Sequence, residues 1–290
     1  MQNDRRIVTL AGAISGVFLA LLLNVALAHG ADKDDFVTEE FHQTYPLTAN
    51  GRVDLSNING SVHIMAWDQN QVRVDAVKRA DDADGLKRME IRVDAHSDAL
   101  VIETKYHQDD DNWGRRGNHI SEVEYTLTVP RTTRLDEIKL INGGLDVTGV
   151  SGEVRASCIN GKLVAKGLAG DSKLSTINGP LEANFENLRA TRIELSSVNG
   201  PVRLLLPSDA KARIEATTVH GGIDNDFGLH TNNHRFVGHD LKGELGGGGV
   251  EIRLSNVNGP INVRHANDGR TLSPAKNTGG RNDDGDGDEI

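Results

Sequence analysis

One dipeptide, Asn-Gly, recurs along this 290-residue chain and constrains its fold more than any other feature. A related pair, His220-Gly221, fills an equivalent place, and from Asn142 the steps are 18, 18, 21, 21 and 38 residues. A period of roughly 20 residues is typical of stacked repeats, in which each unit buries its apolar side against its neighbours. We predict structural corners at Asn59-Gly60, Asn142-Gly143, Asn160-Gly161, Asn178-Gly179, Asn199-Gly200 and Asn258-Gly259.

Three columns of apolar residues flank these corners in every copy. The residue directly before the Asn is β-branched, and we expect a strand to deliver it into the core. This column is Ile58, Ile141, Ile159, Ile177, Val198, Val219 and Val257. The column three residues after the Asn is Val62, Leu145, Leu163, Leu181, Val202, Ile223 and Ile261. The column four residues before the Asn is Leu55, Ile138, Ala156, Leu174, Leu195, Ala216 and Leu254.

The repeat predicts an all-β, solenoid-like stack of 18–21-residue units. Asn and Gly accept the left-handed backbone that a corner between two strands requires. Ordinary hairpins are the alternative, because Asn-Gly between apolar runs is also a hairpin signal. Pro180, Pro201 and Pro260 directly follow a corner Gly and remove an amide that a hairpin ladder would need, which favours the solenoid.

The composition agrees with a turn-rich β fold. The chain has 32 glycines, and its aromatic content is only 4%, which predicts a core of small aliphatic side chains. Residues 36–135 alternate in the strand manner, as in Val72–Val77 and Met89–Asp94, with a longer loop at 108–117. We interpret them as an irregular N-terminal portion of the same β domain.

The N-terminus predicts export. Arg5 and Arg6 precede an apolar run, Leu10–Ala28, that ends in Ala-Leu-Ala, so we predict a signal peptide at 1–28 cleaved before His29. An uncleaved membrane anchor is the alternative. Residues 29–266 would form the β domain, in the periplasm, at the cell surface or secreted. Residues 267–290 are rich in Gly, Asn and Asp and predict a disordered acidic tail.

Charge and cysteine content exclude several classes of function. A net charge of -10 without a basic patch argues against nucleic acid as a partner. The single cysteine, Cys158, excludes an internal disulfide and a cysteine-based zinc site. It falls one residue before the β-branched column, where the other copies are mostly small and polar, so we interpret it as a structural member of that column.

Two runs, Leu174–Leu181 and Leu254–Ile261, together with Val62–Asp68, resemble the DUF4097 family, described as a putative adhesin or toastrack domain. The likeness spans about residues 50–265 and departs from the pattern at His220 and in an apparent insert, Phe227–Gly249. The resemblance implies an all-β, coil-like domain of exported or membrane-tethered envelope proteins. It implies no enzyme activity, no cofactor and no catalytic residue.

Candidate chemistry is sparse. Glu182, Arg203 and Asp224 should form an alternating charge ladder on adjacent strands, with Asp146 two strands from Glu182. A cross-strand ion-pair stripe explains these residues as well as catalysis does. Imidazole is a common metal ligand, but solvated loop histidines are favoured over a metal site. The histidines concerned are His220, His230, His234 and His239.

Two tryptophans, Trp67 and Trp113, offer surfaces for sugar stacking, although a lone aromatic residue is more often part of a core or a cap. We therefore predict a non-enzymatic structural or interaction module of the cell envelope, without catalytic, cofactor or metal residues. Its partner would be an envelope protein or a glycan, and a membrane only if the N-terminal segment stays uncleaved. A carbohydrate-active enzyme on the same scaffold is the alternative.

Overall fold

The computed structural model describes residues 36–107, 121–233 and 238–278, and within them the chain is almost entirely β. Its strands form two large sheets, A and B, that face each other across one aliphatic core. The single described helix, α1 (Ala83–Arg88), is short. None of the described helical residues forms a segment long and apolar enough to cross a bilayer.

Each repeat contributes one parallel strand to each sheet, with the Asn-Gly corner between them. The strands before the corners lie in sheet B: β2 (Arg52–Asn59), β8 (Arg134–Asn142), β10 (Val154–Asn160), β12 (Ser172–Asn178), β14 (Arg192–Asn199), β16 (Ala212–His220) and β20 (Val250–Asn258). The strands after the corners lie in sheet A: β3 (Val62–Trp67), β9 (Leu145–Thr148), β11 (Leu163–Leu168), β13 (Leu181–Phe185), β15 (Val202–Leu206), β17 (Ile223–Asn225) and β21 (Ile261–His265). Because every corner joins different sheets, the chain is a β-solenoid and the hairpin alternative is wrong.

The coils do not stack in strict chain order. The last coil, β20 and β21, lies between the coil of β14 and β15 and that of β16 and β17. The step of 38 residues is therefore one coil plus an insert. The insert carries two antiparallel strands at the edge of sheet B, β18 (Thr231–Asn233) and β19 (His239–Leu245).

The N-terminal portion extends both sheets at the other end of the solenoid. In sheet A, β3 is followed outward by β7 (Ser121–Pro130), β4 (Gln71–Ala80) and β1 (Val37–Pro46). In sheet B, β2 is followed by β6 (Ala99–Tyr106) and β5 (Met89–Ala95). Several of these strands pair antiparallel, so they cap the coils.

The predicted start of a disordered tail at residue 267 is wrong. Ser273 is buried, and its hydroxyl donates to the Ala210 carbonyl at 2.7 Å. A further strand, β22 (Ala275–Asn277), pairs antiparallel with β19. Polar composition suggested disorder, but backbone pairing to an otherwise open edge orders this segment. The predicted signal peptide, the 108–117 loop, Trp113, His234 and residues 279–290 lie outside the described residues.

Two of the three apolar columns point into the core as predicted. The columns that begin with Leu55 and Val62 are buried at every position. The prediction for the β-branched column is wrong, because all seven residues are exposed. Side chains alternate strictly along a strand, and this column stands three positions after the buried Leu55 column, so the two must face opposite ways.

The column that does face inward beside the corner is mostly polar: Asn57, Leu140, Cys158, Thr176, Ser197, Thr218 and Asn256. Five of these side chains donate to a glycine carbonyl of a corner: Asn57, Cys158, Thr176, Thr218 and Asn256. Thr218 Oγ1 donates to Gly259 O at 3.1 Å, and Asn256 Nδ2 donates to Gly200 O at 2.8 Å. Polar groups are tolerated here because the corner carbonyls would otherwise lack a partner inside the core.

Glycine is required at the corners for two reasons: its backbone has a positive φ, and the adjacent coil lies too close for a side chain. Gly143 has φ +152, and its N–H donates to the Asn160 carbonyl of the next coil at 3.0 Å. A Cβ at this position would lie 2.2 Å from the Gly60 carbonyl oxygen of the preceding coil. The other corner glycines are equally tight, so successive corners touch backbone to backbone.

Two adjacent glycines test this requirement. Gly143→Ala should lower the free energy of unfolding by about 3 kcal/mol, because it combines backbone strain with a clash against a carbonyl. Gly144→Ala is the matched control, since its Cβ would meet nothing nearer than 3.7 Å. Urea unfolding followed by circular dichroism measures both. Equal stability losses for the two variants would contradict backbone contact between the corners.

Candidate interaction surface

The exposed β-branched residues form one continuous line, here called the corner ridge: Ile58, Ile141, Ile159, Ile177, Val198, Val257 and Val219. Each is between 37% and 42% exposed. The strands that carry them pair in register on both sides of the ridge position, as for Cys158 with Thr176 and Asn160 with Asn178. With a strand spacing of about 4.8 Å, the ridge is about 29 Å long.

The corner asparagines form a hydrogen-bonded ladder beside the ridge. The Nδ2 of each Asn donates to the Oδ1 of the Asn on the preceding coil, at 2.8 or 2.9 Å. The ladder runs through Asn59, Asn142, Asn160, Asn178, Asn199 and Asn258. Its first member donates to the Ser121 carbonyl, and its last lies next to His220, which breaks the pattern.

A column of hydroxyl groups lies next to the ridge on the outward face of sheet B. This hydroxyl column consists of Ser157, Ser175, Ser196, Ser255 and Thr217 on five adjacent strands. None of these hydroxyls has a hydrogen-bonding partner within the described part of the chain. This column was not among the sequence predictions, although its members share a constant offset of three residues before the corner position.

Charged residues of both signs border the hydroxyl column. In spatial order they are Arg155, Lys173, Glu194, Arg253 and Glu215. Lys173 Nζ lies 3.2 Å from Glu194, and Glu215 pairs with Lys242 at 2.8 Å. On the outward face of sheet B, each of these strands therefore presents one apolar, one hydroxyl and one charged residue. The charged border contains both signs, without a large excess of either.

The predicted charge ladder on sheet A is only partly formed. Arg203 lies opposite Glu182, with 3.4 Å between Nη1 and Oε1. Asp224 does not continue the ladder, because the last coil places Asn262 between Arg203 and Asp224. Asp224 instead pairs with Arg264 at 2.5 Å. Asp146 is two strands from Glu182, as predicted.

These carboxylates do not converge on one groove. A shallow depression of about 210 Å³ includes Glu182, Arg203 and Arg264, but Asp224 and Trp67 lie outside it. Trp67 is partly buried, and its Nε1 donates to the Gln71 carbonyl at 2.8 Å. Its indole therefore closes a local turn, which agrees with the favoured interpretation of a lone aromatic residue as part of a cap and not with a surface for sugar stacking.

The histidines of the insert are spread over different elements. His220 lies at a corner, His239 lies on β19, and His230 lies in the segment before β18. Among the described side chains, no three His, Cys, Asp or Glu residues are grouped closely enough to hold a metal ion.

Cys158 occupies the inward column beside its corner. The thiol is 1% exposed, and Sγ donates to the Gly143 carbonyl at 3.1 Å. Burial raises the pKa of this thiol, which disfavours the reactive thiolate. The geometry gives Cys158 the same structural role as Thr176 on the next strand.

The fold and this surface define an all-β solenoid with a repetitive outer face. No family model and no curated protein matches the chain. A putative cell adhesion protein from Clostridium sporogenes is similar, with 11% identity and a TM-score of 0.46 over 78% of this chain and all of that chain. A putative adhesin from Bacteroides fragilis gives 13% identity and a TM-score of 0.34 over 78% of this chain and 97% of that chain. Likenesses at this level assign no function.

The ladder makes a prediction about stability. Asn178→Ala removes two side-chain hydrogen bonds and should lower the free energy of unfolding by about 1–2 kcal/mol. His220→Asn should raise it by about 0.5 kcal/mol by adding a donor opposite Asn258. Asn184→Ala, on the outward face of sheet A, is the control and should change stability by less than about 0.5 kcal/mol. A loss at Asn184 equal to that at Asn178 would contradict the ladder.

The thiol makes a second prediction. Native protein should react with a thiol reagent such as DTNB at least about 100-fold more slowly than the urea-unfolded chain, because the thiol is buried and protonated. Cys158→Thr should keep the fold, since Thr occupies this position on the next coil. Fast labelling of the native protein would show that the thiol is accessible.

Proposed function

We propose that this chain is an exported, non-enzymatic interaction module of the cell envelope, of the DUF4097 kind. We further propose that the corner ridge and the hydroxyl column together hold one strand of a neutral polysaccharide. The adhesin-like role is supported by the form of the surface: it is long and repetitive, and it is built on coils whose register the backbone fixes. The DUF4097 assignment is supported by the runs Leu174–Leu181 and Leu254–Ile261.

The observation that carries this proposal is the repetition of the surface. Five adjacent strands each present one hydroxyl without an internal partner and, two residues further along, one exposed β-branched side chain. A polymer with a short repeat gains the same contacts at every step along such a face. Sugar rings offer both an apolar face and hydroxyl groups, which match the ridge and the hydroxyl column. Contiguous exposed apolar surface is itself a mark of an interaction site.

Electrostatics favours an uncharged polymer. The whole chain carries a net charge of -10, which repels polyanions. The charged border of the face contains cations, but Lys173 is already paired with Glu194, and Arg155 is paired with Asp136 at 2.9 Å. No row of unpaired cations is therefore available along this border to follow a phosphate or uronate backbone.

The non-enzymatic part of the proposal rests on the sheet A carboxylates. Glycoside hydrolysis needs two carboxyl groups on either side of one bond. Glu182 and Asp224 are each engaged by an arginine, and they lie on strands separated by β15 and β21. Both side chains are also accessible to solvent, so water is not excluded from either carboxylate. This arrangement favours an ion-pair stripe over catalysis.

Affinity electrophoresis tests the proposal. The exported protein is run through native gels that contain a soluble neutral glucan, a galactomannan or the glycan fraction of the producing cell's envelope. We expect retardation in at least one gel. The triple variant Ile159→Thr, Ile177→Thr, Val198→Thr should weaken binding at least about ten-fold, because it removes apolar contact at the centre of the ridge.

The matched control removes exposed apolar groups elsewhere. Met65 and Leu272 are 47% and 41% exposed, and Met65→Thr with Leu272→Thr should leave the retardation unchanged. Absence of retardation in every gel, or equal loss in both variants, would contradict the binding surface. Release of reducing ends from the polysaccharide by wild-type protein would contradict the non-enzymatic role.

A further inference from the structure

The strands that end the two sheets differ in how well they are protected. Sheet A ends at β1 and β17, and sheet B ends at β5 and β18. An open edge invites pairing with another chain, and proteins block it with short strands or charged residues. β17 and β18 have three residues each, and β5 carries Glu90, Arg92 and Asp94.

β1 is the least protected of these four end strands. It is ten residues long, contains no Lys or Arg, and pairs with β4 over its whole length without a bulge. Its proline, Pro46, is the last residue. Both acidic residues are already engaged, Glu39 with Lys78 at 3.0 Å and Glu40 with His42 at 3.1 Å. Among the described strands β1 pairs only with β4, so its outer row of backbone groups lacks a strand partner.

β1 is also the outermost strand at its end of the two sheets, where α1 contacts it. Sheet A continues for three strands beyond β3, whereas sheet B continues for only two beyond β2. Because β2 and β3 belong to the same coil, β1 extends past β5 by about one strand spacing, or about 4.8 Å. A strand that approaches β1 in the plane of sheet A is therefore not blocked by the β5 edge of sheet B.

We propose that the partner of β1 is β1 of a second copy of this chain, paired antiparallel about a two-fold axis at Phe41. In this register Phe41 lies opposite its own copy, Val37 lies opposite Tyr45 of the partner, and Thr38 lies opposite Thr44 of the partner. Glu40 lies opposite His42 of the partner, and Glu39 lies opposite Gln43.

The sequence of β1 is self-complementary in this register. Aromatic–aromatic, aromatic–β-branched, Thr–Thr and opposite-charge pairs are the cross-strand combinations that stabilise antiparallel sheets, by about 0.2–1 kcal/mol each. The register gives all four. Directly opposite residues face the same side of a sheet, so the partly buried Val37, Phe41 and Tyr45 meet on the core side. His42 and Glu40 meet on the outer side.

Because the contact has two-fold symmetry, each copy uses its single β1 edge, and no β1 edge is left free to add a third copy. The result is a dimer in which sheet A runs continuously from one copy into the other. The corner ridges lie on the coils behind this contact and stay exposed, so the dimer would present two polymer-binding faces. The interface does not depend on the proposed polysaccharide binding.

Charged substitutions at Thr38 and Thr44 test the proposed register. Both residues lie on the outer side of β1, so these substitutions leave the side chains that face the core unchanged. The double variant Thr38→Lys, Thr44→Lys places like charges opposite each other twice in the dimer and should raise the dimer Kd at least about 100-fold. The matched control Thr38→Lys, Thr44→Glu places opposite charges at the same two pairs and should dimerise at least as tightly as wild type. Sedimentation velocity from nanomolar to high micromolar concentration of the exported protein measures each Kd.

Mixing two variants of opposite charge gives a second test of the register. Thr38→Glu, Thr44→Glu should be monomeric alone and should form a heterodimer with the double-lysine variant, because the charges then complement across the axis. Equal thermal unfolding temperatures would confirm that all variants keep the fold. A monomeric wild type at every concentration, or equal effects of the double-lysine and Lys/Glu variants, would overturn the proposal, whatever the result with polysaccharides.

Discussion

The contact between successive corners controls the structure. At every corner except that of Gly221, the glycine N–H donates to the carbonyl of the adjacent coil. At every corner the glycine Cα lies so near another carbonyl that no side chain fits between them. A register error of one residue would lose this contact and also turn every side chain of the strand to the wrong face. The backbone contacts along the row of stacked corners therefore fix the register of the seven coils. The asparagine ladder runs along the same row.

Fixed register converts a sequence repeat into surface columns. A residue type that recurs at a constant offset from the corner becomes a continuous row, so the apolar ridge, the hydroxyl groups and the charged border are parallel lines. Their spacing is that of the strands, which side chains cannot change. Such a surface differs from a pocket, because no single residue dominates it and its contacts repeat with the same geometry along the stack.

Much of this architecture could be predicted, because corner glycines and asparagines are demanded by local backbone geometry that sequence displays directly. The direction of Ile159 and its equivalents was predicted wrongly because hydrophobicity was given more weight than the two-residue alternation from Ala156. The interrupted pairing of Arg203 with Asp224 could not be predicted, because it depends on Asn262 entering from a coil later in the chain. Nor does composition reveal that Ala275–Asn277 finds a strand partner.

The out-of-order position of the last coil has a consequence for folding. Coils up to β15 can be added one at a time as the chain emerges, since each docks on its predecessor. This stepwise growth stops there, because β14 receives its next neighbour only when β20 has been made, some 50 residues later. Until then β16 has no finished template to dock on. The C-terminal third must therefore assemble as one cooperative block, and truncation anywhere within it would leave the exposed end of the stack open.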